Sequence, residues 1–299
     1  MDRPVRVAVV GEGPVARRYA AAVATVAEAD VVPVPGTQAL ILADAATLPE
    51  PAPAGLPMLI DPGALVSLGA TPQSRSALRA LPTPALAALP WRSSPVVRLA
   101  RRLLTAPKFM HAHVTTLGGD SLPVAAFHTL DILTHLMGRS PSRVYAESGP
   151  GTSTDPGAPS TVAGTLEFGA HGSAAFAVSR LDEPGDGLAA LVQLTDGRRT
   201  VTLTEGFTTA TLAGFNDAEI DAADTAHAFR AVGNSHVGTV NWRPADGIGD
   251  AVRDLVQTVR TGQAPAEAPN LSGALRSAAL VRAALATAGS GRPRQLVVR

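Results

Sequence analysis

The side chains that can do chemistry near neutral pH are few. Cysteine is absent, Lys108 is the only lysine, Tyr19 and Tyr145 are the only tyrosines, and there are seven histidines. This removes disulfides, thiolate nucleophiles and Cys-ligated metals together. Any lysine chemistry must use Lys108, at the start of a strand-like segment, where an exposed turn residue is expected. Tyr19 falls in the first predicted helix, close to a glycine turn, and Tyr145 at the opening of a sheet region, where a core position is expected. His128 and Asp131 stand three apart on one helical face. A histidine can transfer protons near neutrality, and the ordinary alternative is a helix histidine that hydrogen-bonds within a domain interface; Asp131 would orient it or anchor that interface. His135, seven residues beyond His128, shares that face but has apolar neighbours and reads as structural. His111 and His113 alternate along a strand, as metal ligands can, with His128 or Asp120 as a conceivable third. Nothing in the spacing demands this, so no metal is expected.

A second chemical feature is made of backbone. Val5–Val10 is a buried strand pattern that runs into Gly11-Glu12-Gly13, after which Pro14, Val15 and Ala16 open a helix. Glycines at such a turn let a backbone approach a pyrophosphate at a helix N-terminus. The ordinary alternative is a plain strand–helix turn, and Glu12 would repel a phosphate unless it points away.

The elements that must position these residues follow from periodicity. Apolar runs at Val31–Val34, Ala39–Leu42 and Met58–Ile60 follow the first helix, so the N-terminal segment opens as a βαβ unit of a doubly wound sheet. Only Pro35, Gly36 and Thr37 separate the second and third runs, too few for a crossover helix. Either a helix is lost there or those strands pair unusually. Residues 45–56 and 82–90 read as alanine- and proline-rich connections. A helix at 95–105 follows, then a strand at 109–115, a loop at 117–123 and a helix at Ala125–Met137 that buries Phe127, Leu130, Leu133 and Met137 and stops at Gly138. Beyond it the period changes to that of strands at 144–146, 162–168, 174–178, 189–194, 200–203, 208–212 and 229–231. Residues 151–159 read as a flexible loop, and two helices, 249–261 and 272–288, close the chain. The fold class is therefore α/β: an abbreviated Rossmann-like nucleotide-binding domain, 1–115, followed by an α+β domain, 116–299, with a largely antiparallel open sheet. The last helices are expected to pack back toward the first domain.

The chain has 299 residues, 45% of them hydrophobic, with 25 basic and 25 acidic groups, so no broad positive surface suits nucleic acid. Arg98, Arg101 and Arg102 read as a solvated helix face. No long apolar stretch suggests a membrane span, the first residues do not look like a secretory leader, and a cytoplasmic location is the default expectation. The arginine- and alanine-rich bias looks genomic, as in a GC-rich bacterium such as an actinobacterium.

In order along the chain, several segments resemble the glucose-fructose oxidoreductase, inositol dehydrogenase and MocA family. The turn VRVAVVGEGPVA matches its phosphate-binding turn, Arg92-Ser-Ser-Pro95 its R-x-x-P segment, HTLDILTHLMG its His-x-x-Asp helix, and GTLEFGAHG its sheet hairpin. The final helices are similar as well. The resemblance implies NAD or NADP bound at Gly11, Gly13, Pro14, Val15 and Ala16, with Asp61 and Pro62 beside it. It implies a small-molecule substrate, such as a sugar or a natural-product intermediate, and a homodimer or homotetramer formed through the second sheet. It points His128 toward substrate, with Asp131 in support, and places Trp91, Arg92, Asp120, Arg180 and Trp242 as substrate-contact candidates. The chain departs from the family pattern in three places. Ile60-Asp61-Pro62 stands where members carry Glu-Lys-Pro, Val124 where they place an aspartate four residues before the helix histidine, and Pro35-Gly36 where an acidic residue would hold a ribose diol. Three readings follow: a nicotinamide-dependent oxidoreductase, a non-redox enzyme (cyclase, dehydratase or isomerase) on the same fold, or a non-catalytic partner or sensor.

Overall fold

The computed structural model describes residues 3–44, 55–68, 84–117, 121–150, 159–181, 187–223, 229–290, 292 and 294–296. Two compact units emerge: Met1–Pro90 with Pro244–Ala279, and Trp91–Arg243 with Leu280–Arg299.

The first unit is built on five parallel strands, β1 (Val5–Val10), β2 (Ala29–Val31), β3 (Ala39–Leu42), β4 (Met58–Ile60) and β5 (Ala85–Ala87), in the order β2-β1-β3-β4-β5. Helix α1 (Gly13–Thr25) links β1 to β2. The second and third apolar runs do not pair with each other; they flank β1 on opposite sides. Residues 32–38 make the passage without a helix and fasten to β1 as they go. Val32 N–H donates to Val7 C=O, Gln38 N–H to Arg6 C=O, and the Thr37 hydroxyl lies 2.9 Å from Arg6 C=O. Strand β5 lies inside the segment expected to be a connection; its three residues, between Pro84 and Pro90, are too few to show a period. Helix α2 (Pro62–Leu68) was likewise not foreseen.

One face of this sheet carries the main core. Val5, Val7, Ala39, Ile41, Leu59 and Leu86 meet Tyr19 and Val23 of α1, and Ala251, Val252, Leu255 and Val256. The last four belong to a late helix, Pro244–Thr261.

The second unit begins with a 3₁₀ turn at Pro90–Ser93 and helix α3 (Pro95–Leu103), which buries Val96, Val97, Leu99, Ala100 and Leu103. Its sheet has ten strands, numbered β6 to β15 along the chain, and is antiparallel except where β6 (Phe109–Leu117) runs parallel to β9 (Ser173–Leu181). The period of two sends Met110, Ala112, Val114, Val162, Leu166, Phe176, Val178, Val192 and Leu194 to one buried face. Helix α4 (Leu122–Met137) packs there against β6, β8 (Pro159–Glu167) and β9. Helix α4 was expected to bury one face; instead it is buried nearly all round, because α3 covers its other side. Gly138 ends it at φ 74°, the left-handed C-terminal position, and a β-carbon there would lie 2.6 Å from the Arg101 guanidinium. The sequence also concealed the short helix α5 (Asp217–Ala223) and strand β14 (Ser235–Thr239). The C-terminal elements are α6 (Pro244–Thr261), α7 (Leu271–Ser290) and strand β15 (Arg294–Gln295). Tyr145, expected in the core, lies instead on the opposite face of β7 (Arg143–Pro150), where it shares a hydrogen bond with Glu147 that raises its pKa.

Candidate functional site

Each unit holds its own group of candidate residues. In the first unit they gather at the carboxyl ends of parallel strands, beside the point where connections leave β1 and β3 in opposite directions. That is where open α/β sheets bind ligands. Gly11 (φ 136°) is required by the chain's own packing, since a β-carbon would lie 3.1 Å from the Asp44 backbone nitrogen and 3.2 Å from the Ala43 β-carbon. Gly13 (φ 78°) is different: nothing stands within 4 Å of where its β-carbon would be. Glu12, at the N-cap of α1, makes no side-chain cap bond, and Pro14 occupies the first turn. The helix therefore presents its N-terminus and an open glycine to whatever lies beyond them. This arrangement fits a phosphate or pyrophosphate group.

Asp61, at the end of β4, is held by the protein itself. The Tyr19 hydroxyl donates to Asp61 Oδ2 at 2.9 Å, and Gly63 N–H donates to Oδ1 at 2.7 Å, which opens α2 next to Pro62. Nothing acidic follows β2 at the position suited to a ribose diol. The Gly36-Thr37 segment lies instead beside Arg6, toward the amino-terminal half of β1.

In the second unit the structure brings Trp91, Arg92, His128 and Asp131 together. Asp131 is 2% exposed on a helix buried all round, so its charge must be met locally. Arg92 meets it with a two-bond fork, Nε to Oδ2 at 2.8 Å and Nη2 to Oδ1 at 2.6 Å. Arg92 is thus engaged by Asp131, a role its sequence position did not reveal. One turn earlier, the His128 imidazole stacks on the Trp91 indole, with centroids 4.8 Å apart and planes 26° apart. The edge of Phe127 closes on it at 5.9 Å. His135, one turn beyond Asp131, is held neutral: burial, then the neighbouring Arg92 charge, lower its pKa from 6.5 to about 4, while Asp131 partly opposes them.

The other described sequence candidates lie on other elements. Arg180 lies opposite Thr116 near the ends of β9 and β6, on the buried face of the sheet. Trp242 is buried, and among the described residues its indole N–H has no hydrogen-bond partner. Asp120 lies outside the described residues. His111 and His113 occupy the β6 face opposite Met110, Ala112 and Val114, so they point away from α4 and its His128. Among the described residues no group of three His, Asp or Glu could hold a metal ion, and no helix is long and apolar enough to cross a membrane.

A parallel Rossmann-like sheet followed by a large, mostly antiparallel sheet with a buried His-x-x-Asp helix defines a two-part fold. Solved structures share it over their whole length. An oxidoreductase from Agrobacterium radiobacter, in complex with NAD+, L-tartaric acid and magnesium, matches with a TM-score of 0.71 at 14% identity, over 97% of this chain and 98% of that one. An oxidoreductase from Sinorhizobium meliloti gives 0.76 at 11% identity over 100% of both chains. The aldose-aldose oxidoreductase of Caulobacter crescentus, complexed with glycerol, gives 0.74 at 13% identity over 98% of this chain and 100% of that one. What is shared at these identities is the fold. No family model and no curated protein sequence matches the chain.

Proposed function

We propose that the chain is a nicotinamide-dependent oxidoreductase acting on a small molecule, such as a sugar or a natural-product intermediate. The observation that carries this reading is the uncapped N-terminus of α1 beside an open Gly13, on a fold whose solved representatives include one in complex with NAD+. Gly11, Gly13, Pro14, Val15 and Ala16 would hold the pyrophosphate of NAD or NADP, with Asp61 and Pro62 at the neighbouring strand end. Such a cofactor supplies hydride exchange when bound. His128 holds the proton that accompanies it. Stacking on Trp91 fixes the imidazole plane, and the Arg92–Asp131 pair fixes the next turn of the same helix. Asp120, Arg180 and Trp242 complete the substrate-contact set. The sheet face opposite α4 exposes Phe109 and Leu191, and pairing of copies through it would give the homodimer or homotetramer.

A second reading, a non-redox enzyme on the same fold, is favoured by one observation. Where the resemblance assigns a lysine, this chain places Asp61 and binds its carboxylate to Tyr19 and Gly63. Titration of the protein with NADH and with NADPH, following nicotinamide fluorescence, separates the two. Saturable binding of either supports the redox reading. No binding up to about 1 mM, the weak end of useful affinity, would leave the non-redox reading in its place.

A further inference from the structure

The turn between β11 (Thr200–Thr204) and β12 (Thr209–Ala213) is built against backbone preference. Glu205, Gly206 and Phe207 adopt φ values of 52°, 64° and 69°, three successive residues in the left-handed region. Among the described residues, Glu205 and Phe207 are the only non-glycine residues with positive φ; the hairpin turns at Gly197 and Gly233 use glycine for it. A side chain with a β-carbon is disfavoured there, and such strain persists only where surrounding structure holds it.

Phe207 is held from two directions. Its ring is fully buried and lies 5.2 Å from Trp91, tilted by 49°. Its carbonyl accepts a 2.7 Å hydrogen bond from the hydroxyl of Ser94, which is 0% exposed. Ser94 occupies the N-cap position of α3, where serine ordinarily bonds the helix's own N–H groups, yet it makes no cap bond. Both the favoured backbone of a hairpin turn and the ordinary use of a capping serine are thus given up to place one phenylalanine against Trp91. The second ring against Trp91 is the stacked imidazole of His128.

We infer that Phe207, anchored by Ser94, is a positioning residue: it backs the Trp91 indole onto His128 and so sets the orientation of the imidazole. The inference rests on the proposed role of His128 for its functional meaning, but the geometry can be tested without any substrate. A protonated imidazole stacked on an indole quenches its fluorescence. In a Trp242→Phe background Trp91 is the sole tryptophan, and its emission should fall on acidification once the imidazole stacked on it takes up a proton. Adding His128→Asn should abolish that dependence. Adding Phe207→Leu should reduce its amplitude by about threefold or more, the population change expected on losing an aromatic pair. Ser94→Ala, which keeps the packing and removes one hydrogen bond, should reduce it less, and it decides the matter alone if the Phe207 variant does not fold. Persistence of the quenching in the His128 variant would overturn the stack. An amplitude unchanged in the folded Phe207 variant, or in Ser94→Ala if that variant alone folds, would overturn the positioning role. Because neither readout requires cofactor or turnover, failure here is distinct from failure of the oxidoreductase reading.

Discussion

The two candidate regions are made from different materials. At the end of β1 the groups that matter are backbone: two glycines in positive φ and the uncapped first turn of a helix. Around α4 they are side chains, an indole, an imidazole and a charge pair, buried or half-buried and each fixed by residues distant in sequence. A backbone site tolerates drift of its surrounding side chains, since N–H groups come with the helix. A side-chain site does not, because every buried polar group needs its own partner.

The sharpest test of the contrast removes a charge. Asp131→Ala leaves the Arg92 guanidinium without the carboxylate it forks onto. With Asp131 at 3% and Arg92 at 21% side-chain exposure, a loss of about 3 kcal/mol is expected on chemical denaturation. A loss below about 1 kcal/mol, the scale of a surface ion pair, would mean that the pair does not hold this helix.

The next effect is a pH dependence. His135 has its pKa lowered from 6.5 to about 4 in the folded chain, so between those values the unfolded chain takes up a proton that the folded one refuses. The contribution is complete above the unfolded pKa and is lost as pH falls toward 4, amounting to roughly 3 kcal/mol at 1.36 kcal/mol per unit. His135→Gln should flatten that part of the stability profile; an unchanged slope in this variant would assign the dependence to other groups.

The smallest effect on stability is expected in the glycine turn. Gly13→Ala meets open space, so only its positive φ is unfavourable and about 1 kcal/mol should be lost. Gly11→Ala adds contacts of 3.1–3.2 Å with Ala43 and Asp44 and should lose more. If Gly13 faces a phosphate, the β-carbon of its alanine variant would stand where the phosphate approaches and should weaken dinucleotide binding by about tenfold, about 1.4 kcal/mol. A cofactor titration matching the parent would remove Gly13 from that role.

What the sequence by itself determined is what short-range periodicity encodes. The β1–α1 turn, the helix ending at Gly138 and most strands of the second sheet are visible in it, because apolar residues at two- and 3.6-residue spacing declare a face wherever they sit. Three-residue strands such as β5 carry too few positions to declare one. The partnerships were decided only by tertiary structure. Arg92 reaches Asp131 across 39 residues, Tyr19 reaches Asp61 across 42, and Ser94 reaches Phe207 across 113. Nothing local distinguishes a serine that caps its own helix from one whose hydroxyl is turned to a distant carbonyl. That choice belongs to the packing, which leaves a buried acceptor in one place and must satisfy it with whichever donor the fold brings there.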